Sequence, residues 1–192
     1  MTTPLQLETP RLLLRPWRDE DRAAFAAMNA DAAVMHFFAS PLTRAQSDEA
    51  IDRYAATLAR DGFSFLAAID LGTQTFVGTI GMQIMRDLVP NLPQPRVEIG
   101  WRLTSAAQGR GLATEGATAI IHHAFNALNL PDLVAVTVPT NTASRRVMVK
   151  LGMTYRPEFT FEHPRVPADH PYRQHILYSL ENYSFENRKE RS

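Results

Sequence analysis

A mixed α/β fold of about seven strands and about four helices is what this sequence predicts, and three observations predict it. Apolar residues switch repeatedly between alternation, the period of a strand, and helical spacing. Two β-rich runs, Phe63 to Ile69 and Thr75 to Met85, are joined by DLGTQ, a short Gly-containing link that suits an antiparallel hairpin. The alternating run Arg96 to Leu103 leads through one long amphipathic helix to the β-branched run Leu133 to Val138, a βαβ unit whose two strands run parallel.

Taken in order, Leu5 to Trp17 reads as a strand that stops at Pro16, and Trp17 opens a helix. In RDEDRAAFAAMNA, Asp19, Glu20 and Asp21 stand where a helix N-terminus favours negative charge, Ala24, Phe25 and Met28 share a face, and Asn29 is the expected end. After Ser40-Pro41, Thr43 and Gln46 have capping-box spacing, and Ala50, Ile51, Tyr54, Ala55 and Leu58 recur at helical intervals up to Asp61-Gly62. Arg86 to Pro95 carries Pro90, Pro93 and Pro95 and is expected to be a loop suited to the rim of a binding site. In Arg96 to Leu103, Val97, Ile99, Trp101 and Leu103 share one face and Glu98, Gly100 and Arg102 the other.

The helix from Ala113 sets Ala113, Gly116, Ala117, Ile120, Ile121, Ala124 and Leu128 inward, with Glu115, Thr118, His122 and Asn126 turned away. Leu133 to Val138 has the uninterrupted apolar character of a strand buried on both faces. Asn141 caps a short helix, Ala143 to Lys150, that ends at Gly152. The last β-rich runs, Met153 to Glu162 and Tyr172 to Leu180, flank HPRVPADHP, too long and Pro-rich for a tight turn. The tail from about residue 184 reads as frayed and solvated.

The chain has 192 residues, 45% of them hydrophobic, enough for one substantial core and short for two, so residues 1–192 are expected to form a single domain. Its 20 basic and 20 acidic residues cancel, which disfavours nucleic acid or an anionic membrane as partner. Cysteine is absent, which excludes disulfides, Cys-based zinc sites and thiol nucleophiles. No run has signal-peptide or membrane-span character, and the cytoplasm is the expected compartment. His122 and His123 are adjacent and diverge on a helix, while His36, His163, His170 and His175 have no paired spacing, so no metal is expected.

The segment Gln108-Gly109-Arg110-Gly111-Leu112-Ala113 lies between a strand and a helix. Glycines there let the backbone approach a ligand and aim successive amides at it, the helix dipole adds positive potential, and Arg110 can add a charge. A phosphate or pyrophosphate fits; an ordinary connection that needs glycines for its φ angles is the structural alternative. There is no G-x-x-x-x-G-K-[ST] and no G-x-G-x-x-G, so a P-loop or Rossmann site is excluded.

Gln108-x-x-Gly111-x-Ala113 resembles the [Q/R]-x-x-G-x-[G/A] coenzyme A signature of the GNAT N-acetyltransferase superfamily. TPRLLLRPW, VEIGWRL, GLATEG and NTASRRVMVKLGM, in that order, are similar to the branch containing the Rim-type ribosomal-protein N-terminal acetyltransferases, and the resemblance covers about Leu7 to Leu180. It implies a three-layer α/β (α+β) fold with a mostly antiparallel sheet, a central parallel pair that splays apart, and one N-acetyltransferase domain.

It also implies roles. The pantetheine arm of acetyl-CoA would pair with Trp101, Arg102 and Leu103, and the pyrophosphate would lie on the amides of Gln108, Gly109, Arg110, Gly111, Leu112 and Ala113. Asn141 would contact the coenzyme arm; capping the helix is its structural alternative. Glu98 matches the family's general base, with Gly100 leaving room for substrate; a strand carboxylate paired with Arg102 is the alternative. Ser144 matches a serine that assists the departing sulfur, and an unremarkable first-turn serine is the alternative. Met148 stands where the wider superfamily often has a general-acid tyrosine, which turns attention to Ser144.

The activity so implied is direct transfer of an acetyl group from acetyl-CoA, as acyl donor, to a primary amine. A protein or peptide N-terminus is the favoured acceptor. A small-molecule amine such as an antibiotic or polyamine is the second reading, and a non-catalytic acyl-CoA sensor the third. The chain is expected to act as a monomer or homodimer.

Overall fold

A computed structural model describes residues 5–93, 95–182 and 185. The strands are β1 (Leu7–Glu8), β2 (Leu12–Arg15), β3 (Phe65–Asp70), β4 (Thr75–Met85), β5 (Arg96–Leu103), β6 (Asp132–Thr137), β7 (Thr154–Glu162) and β8 (Gln174–Glu181). The helices are α1 (Asp21–Ala30), α2 (Arg44–Asp61), α3 (Leu112–Asn126) and α4 (Thr142–Lys150), with a 3-10 turn at Ser105–Ala107. Among the described residues the sheet has eight strands in the order β1-β2-β3-β4-β5-β6-β8-β7, and β5 and β6 are its parallel pair. The chain forms two compact units, Met1–Gln83 with Gly100–Ile120 and Ile84–Ile99 with Ile121–Ser192.

In the first unit, the expected strand Leu5 to Trp17 is instead a small hairpin, with Leu7 opposite Leu14 and Glu8 opposite Leu13. Pro10 has no N–H to continue a ladder, and the Thr9 hydroxyl oxygen accepts from the Leu12 amide at 2.9 Å to close the reversal. The following helix begins at Asp21 rather than Trp17. Trp17 remains outside it because its indole donates to the Phe65 carbonyl at 2.8 Å and its ring lies 4.7 Å from that of Phe25. Asp21 opens the helix by accepting from the Arg18 amide and pairing in bidentate fashion with Arg15, both side chains being buried. Helix α2 has the expected capping box between Thr43 and Gln46, and Gly62 closes it in the left-handed region at φ 79°. Phe25, Met28, Val34, Met35, Ala50 and Ile51 form the apolar centre beneath these helices. A Cβ at Gly116 of α3 would lie 2.5 Å from Ile80 of β4, so only glycine lets the helix approach that closely.

In the second unit, Glu98 of β5 stands opposite Val134 of β6, and β6 then pairs antiparallel with β8 from Asp132 to Thr137. Leu133, Val134 and Ala135 are buried, as their unbroken apolar run requires. Strand β7 pairs with β8 through a register shift between Arg156 and Phe161, a stretch containing Pro157, which cannot donate to a ladder. Residues 86–93 and 95 lie in the expected loop, but Val89 and Leu92 pack with Met85, Val134, Phe161 and Leu177. That loop therefore closes a core as well as bearing prolines. The tail from about residue 184 lies, apart from Phe185, outside the described residues.

Candidate active site

The turn between β5 and α3 belongs to the first unit. Gly109 and Gly111 adopt φ 75° and 80°, values that side chains with a Cβ rarely reach, and both are exposed together with Arg110 between them. An α-helix leaves its first amides without carbonyl partners inside the helix, here those of Leu112, Ala113 and Thr114. An exposed double-glycine turn running into unpartnered amides is a fitting cradle for phosphate oxygens. Gln108 points the other way: its Nε2 donates to the Leu103 carbonyl at 3.2 Å and ties the turn to the end of β5.

Two carboxylates fasten this turn from behind. Glu115 receives the Thr9 hydroxyl at 2.7 Å, the Arg11 amide at 2.8 Å and Arg11 Nε at 2.6 Å, while Arg11 Nη1 donates to the Arg110 carbonyl at 2.9 Å. The sequence pattern set Glu115 facing away; it is 16% exposed and joins the first hairpin to the helix. Burial acts to raise its pKa, but the donors from Thr9 and Arg11 outweigh burial and hold the carboxyl below its ordinary value. Asp70 is the other: its Oδ1 accepts from the Gly72 and Thr73 amides and its Oδ2 from Arg110 Nη2 at 2.9 Å. The Thr73 amide first, then Arg110 and the Gly72 amide, lower the Asp70 pKa against the opposing effect of burial. The charge that the sequence offered to an anion is thus shared with Asp70.

On β5, Trp101 and Arg102 are half-buried and Leu103 is buried. Arg102 Nη1 donates to Asn29 Oδ1 at 2.5 Å, and its guanidinium carbon lies 4.3 Å from the centre of the Phe38 ring. Burial pushes the Arg102 pKa down from its ordinary value. The space above Gly100, expected to admit substrate, is taken by Phe65, whose ring would stand 3.1 Å from a Cβ there.

The second unit holds Glu98, half-buried on β5, and the start of α4. Asn141 is the cap of α4, its Oδ1 accepting from the Ser144 amide at 3.1 Å, so the two predicted residues are joined by one bond. Met148 is 1% exposed, so the position where a general-acid tyrosine was sought faces the core. His163 and His175 lie with rings 4.7 Å apart beside Phe161, a pairing invisible in their spacing because the β7–β8 ladder creates it. Burial, then the neighbouring His175 and Arg165, pushes the His163 pKa down to about 4.

The structure thus brings together Trp101 to Leu103 with Gln108 to Ala113 in one unit, and Asn141 with Ser144 in the other. What the sequence reading missed is the Thr9, Arg11, Asp70 and Glu115 support of the turn. TPRLLLR and GLATEG carried the signal, but only as motifs without a stated partner.

An acetyltransferase (GNAT) domain family model matches residues 11–154. The uncharacterized protein YkkB of Bacillus subtilis is 31% identical over 156 residues, covering 81% of this chain and 88% of that protein. The FsC-acetyl coenzyme A-N(2)-transacetylase of Aspergillus fumigatus is 31% identical over 162 residues, 78% of this chain and 65% of the other. Mycobacterium smegmatis RimJ, solved in complex with CoA-disulfide, shares the fold with a TM-score of 0.71 at 22% identity, covering 93% of this chain and 88% of the other.

Proposed function

This chain belongs to the GNAT acetyltransferase family, and from that premise we propose that it moves an acetyl group from acetyl-CoA to a primary amine by direct attack in a ternary complex. The family membership makes it an acyltransferase; the acceptor and the residue roles are our reading. The observation that carries it is the exposed turn with left-handed Gly109 and Gly111, followed by the amides of Leu112, Ala113 and Thr114. Amides of Gln108 to Ala113 hold the pyrophosphate, and the backbone of Trp101, Arg102 and Leu103 pairs with the pantetheine arm. Asn141, besides capping α4, orients that arm.

The chemistry asks for a neutral amine, a stabilised carbonyl oxygen and a proton for the departing sulfur. Glu98 takes the proton that the amine must lose, the nitrogen attacks the thioester carbonyl carbon, and the carbon–sulfur bond breaks as the amide forms. Ser144 assists the thiolate, which leaves as the thiol of coenzyme A. A protein or peptide N-terminus is the acceptor we favour, on the resemblance of TPRLLLRPW, VEIGWRL, GLATEG and NTASRRVMVKLGM to the Rim-type branch. The fungal relative's name supports acetyl coenzyme A as donor and a nitrogen as acceptor atom. No helix among the described residues is long and apolar enough to cross a membrane, and the cytoplasm is the compartment we propose.

The test has two steps. Acetyl-CoA at millimolar concentration raises the melting temperature by mass action if the turn binds it; no shift removes the coenzyme site. Thiol release over a panel of amines and peptides then distinguishes an enzyme from a sensor, since turnover with any acceptor rejects the sensor.

A further inference from the structure

Arg102 is a cation with an unmet demand. Its Nη1 is taken by the neutral Asn29 oxygen, its face by the Phe38 ring, and its Nε is sealed from solvent with no hydrogen-bond partner among the described residues. No carboxylate pairs with it among the described residues. Asp31, two residues beyond Asn29 in the chain, is committed to the Ser105 hydroxyl at 2.6 Å and the Ala33 amide at 2.8 Å. A guanidinium held half-buried without a counter-ion is costly, and an orphaned buried donor adds to that cost.

The surroundings hold the guanidinium in one orientation. Asn29 is fully buried, and its Nδ2 donates to the Ser47 hydroxyl at 3.1 Å, which fixes its oxygen toward Arg102. Asn29 therefore occupies the Nη1 corner and leaves the Nε and Nη2 edge as the remaining fork. That edge has the geometry that receives the two oxygens of a carboxylate side by side. Phe38, 42% exposed between α1 and α2, lies on the face of the guanidinium, so it covers the cation without occupying the edge.

We propose that Arg102 is the specificity-determining residue for the acceptor, and that the acceptor amine carries a carboxylate received on the Nε and Nη2 edge of its guanidinium. The inference rests on the acetyltransferase reading above. It names the chemistry that the turn and Glu98 leave open: a cation whose buried Nε lacks a partner selects the oxyanion of the second substrate. A carboxylate can belong to a small amino acid or to an acidic residue near a peptide N-terminus, and the assay separates the two.

The measurement is thiol release with matched acceptors that differ only in that group: β-alanine against β-alaninamide, and the amidated peptide Ala-Glu-Ala against Ala-Gln-Ala. We expect the full chain to prefer the carboxylate member of one pair by 10-fold or more in kcat/KM, and the pair that discriminates identifies the source. In Arg102→Gln the preference falls to near unity, through a rise in KM for the carboxylate member that exceeds any change on the amide member. An Arg102→Lys variant restores part of the preference, which a merely structural arginine would not do. Equal use of both members by the native chain, or an equal loss on both in Arg102→Gln, overturns the assignment. If acetyl-CoA still raises the melting temperature but no acceptor is turned over, the catalytic reading falls. Arg102 is then judged by whether β-alanine, but not β-alaninamide, adds to that thermal shift, and no added shift overturns it.

Discussion

Replacing Glu115 by glutamine tests the support of the glycine turn at a single atom. Oε2 accepts Arg11 Nε and Nη2, each at 2.6 Å, while Oε1 serves Thr9 and the Arg11 amide. Glutamine keeps an oxygen for Thr9 but sets an NH₂ group against the Arg11 donors. Hydrogen bonds to a charged group contribute about 1.5–3 kcal/mol each. Arg11 is 48% exposed, so solvent screening discounts the pair, and a loss of about 2 kcal/mol is expected. For a chain of this size that lowers Tm by about 4–8 °C, measured by calorimetry at pH 7. The pH dependence has a definite sign. Glu115 is held below its ordinary pKa, so its contribution is complete above the unfolded value of about 4.3 and disappears as pH falls through the lower folded value. The gap between native and variant Tm is therefore flat from pH 7 to 5 and closes in acid. A gap below about 1 °C at pH 7, or one that persists unchanged in acid, would refute the account.

Glu98→Gln is expected to lower kcat by roughly 10²-fold or more while leaving the acetyl-CoA thermal shift in place; an unaltered rate and pH profile would return Glu98 to a structural role. Gly111→Asp combines a side chain at φ 80° with a charge facing the pyrophosphate, and should abolish most of that thermal shift. Asp70→Asn keeps an oxygen for the Gly72 and Thr73 amides but removes the charge that engages Arg110, so acetyl-CoA affinity should rise severalfold; weaker binding would mean that Arg110 needs Asp70 to hold it in place. His163 is kept neutral by the fold, with its pKa pushed down to about 4 from an unfolded value of about 6.5. Its stabilising share is complete above that unfolded value and is lost progressively as pH falls toward 4. His163→Gln should therefore show a shallower decline of Tm over this range, and parallel curves would reject the idea.

Local rules carried much of this protein in the open. Thr43 and Gln46 announce a capping box because both bonds lie within one helical turn, and Gly62 announces the helix end because only glycine takes φ 79° without strain. The β5–α3–β6 unit was equally legible, since one helix between two strands leaves little choice but a parallel pair. Asn141 declared itself as a cap for the same reason, three residues from the amide it accepts. The motif order pointed to the acetyltransferase family, and the family match over residues 11–154 agrees.

Contacts between distant residues were another matter. Glu115 looked solvent-facing by periodicity, yet Thr9 and Arg11 lie more than a hundred positions away and come to it only in the folded chain. Val89 and Leu92 were hidden within a Pro-rich loop, and Gly100, read as room for a substrate, gives its space to Phe65. His163 and His175 meet because a strand ladder sets them side by side. The sequence alone determined most of the elements, the caps of α2 and α4 and the glycine turn before α3, because each depends on backbone geometry over a few neighbouring residues. Only the tertiary structure decided which charges are engaged: Arg110 by Asp70, Arg11 by Glu115, and Arg102 by neutral Asn29 with its buried Nε unpartnered, since a charge's partner is set by packing in space.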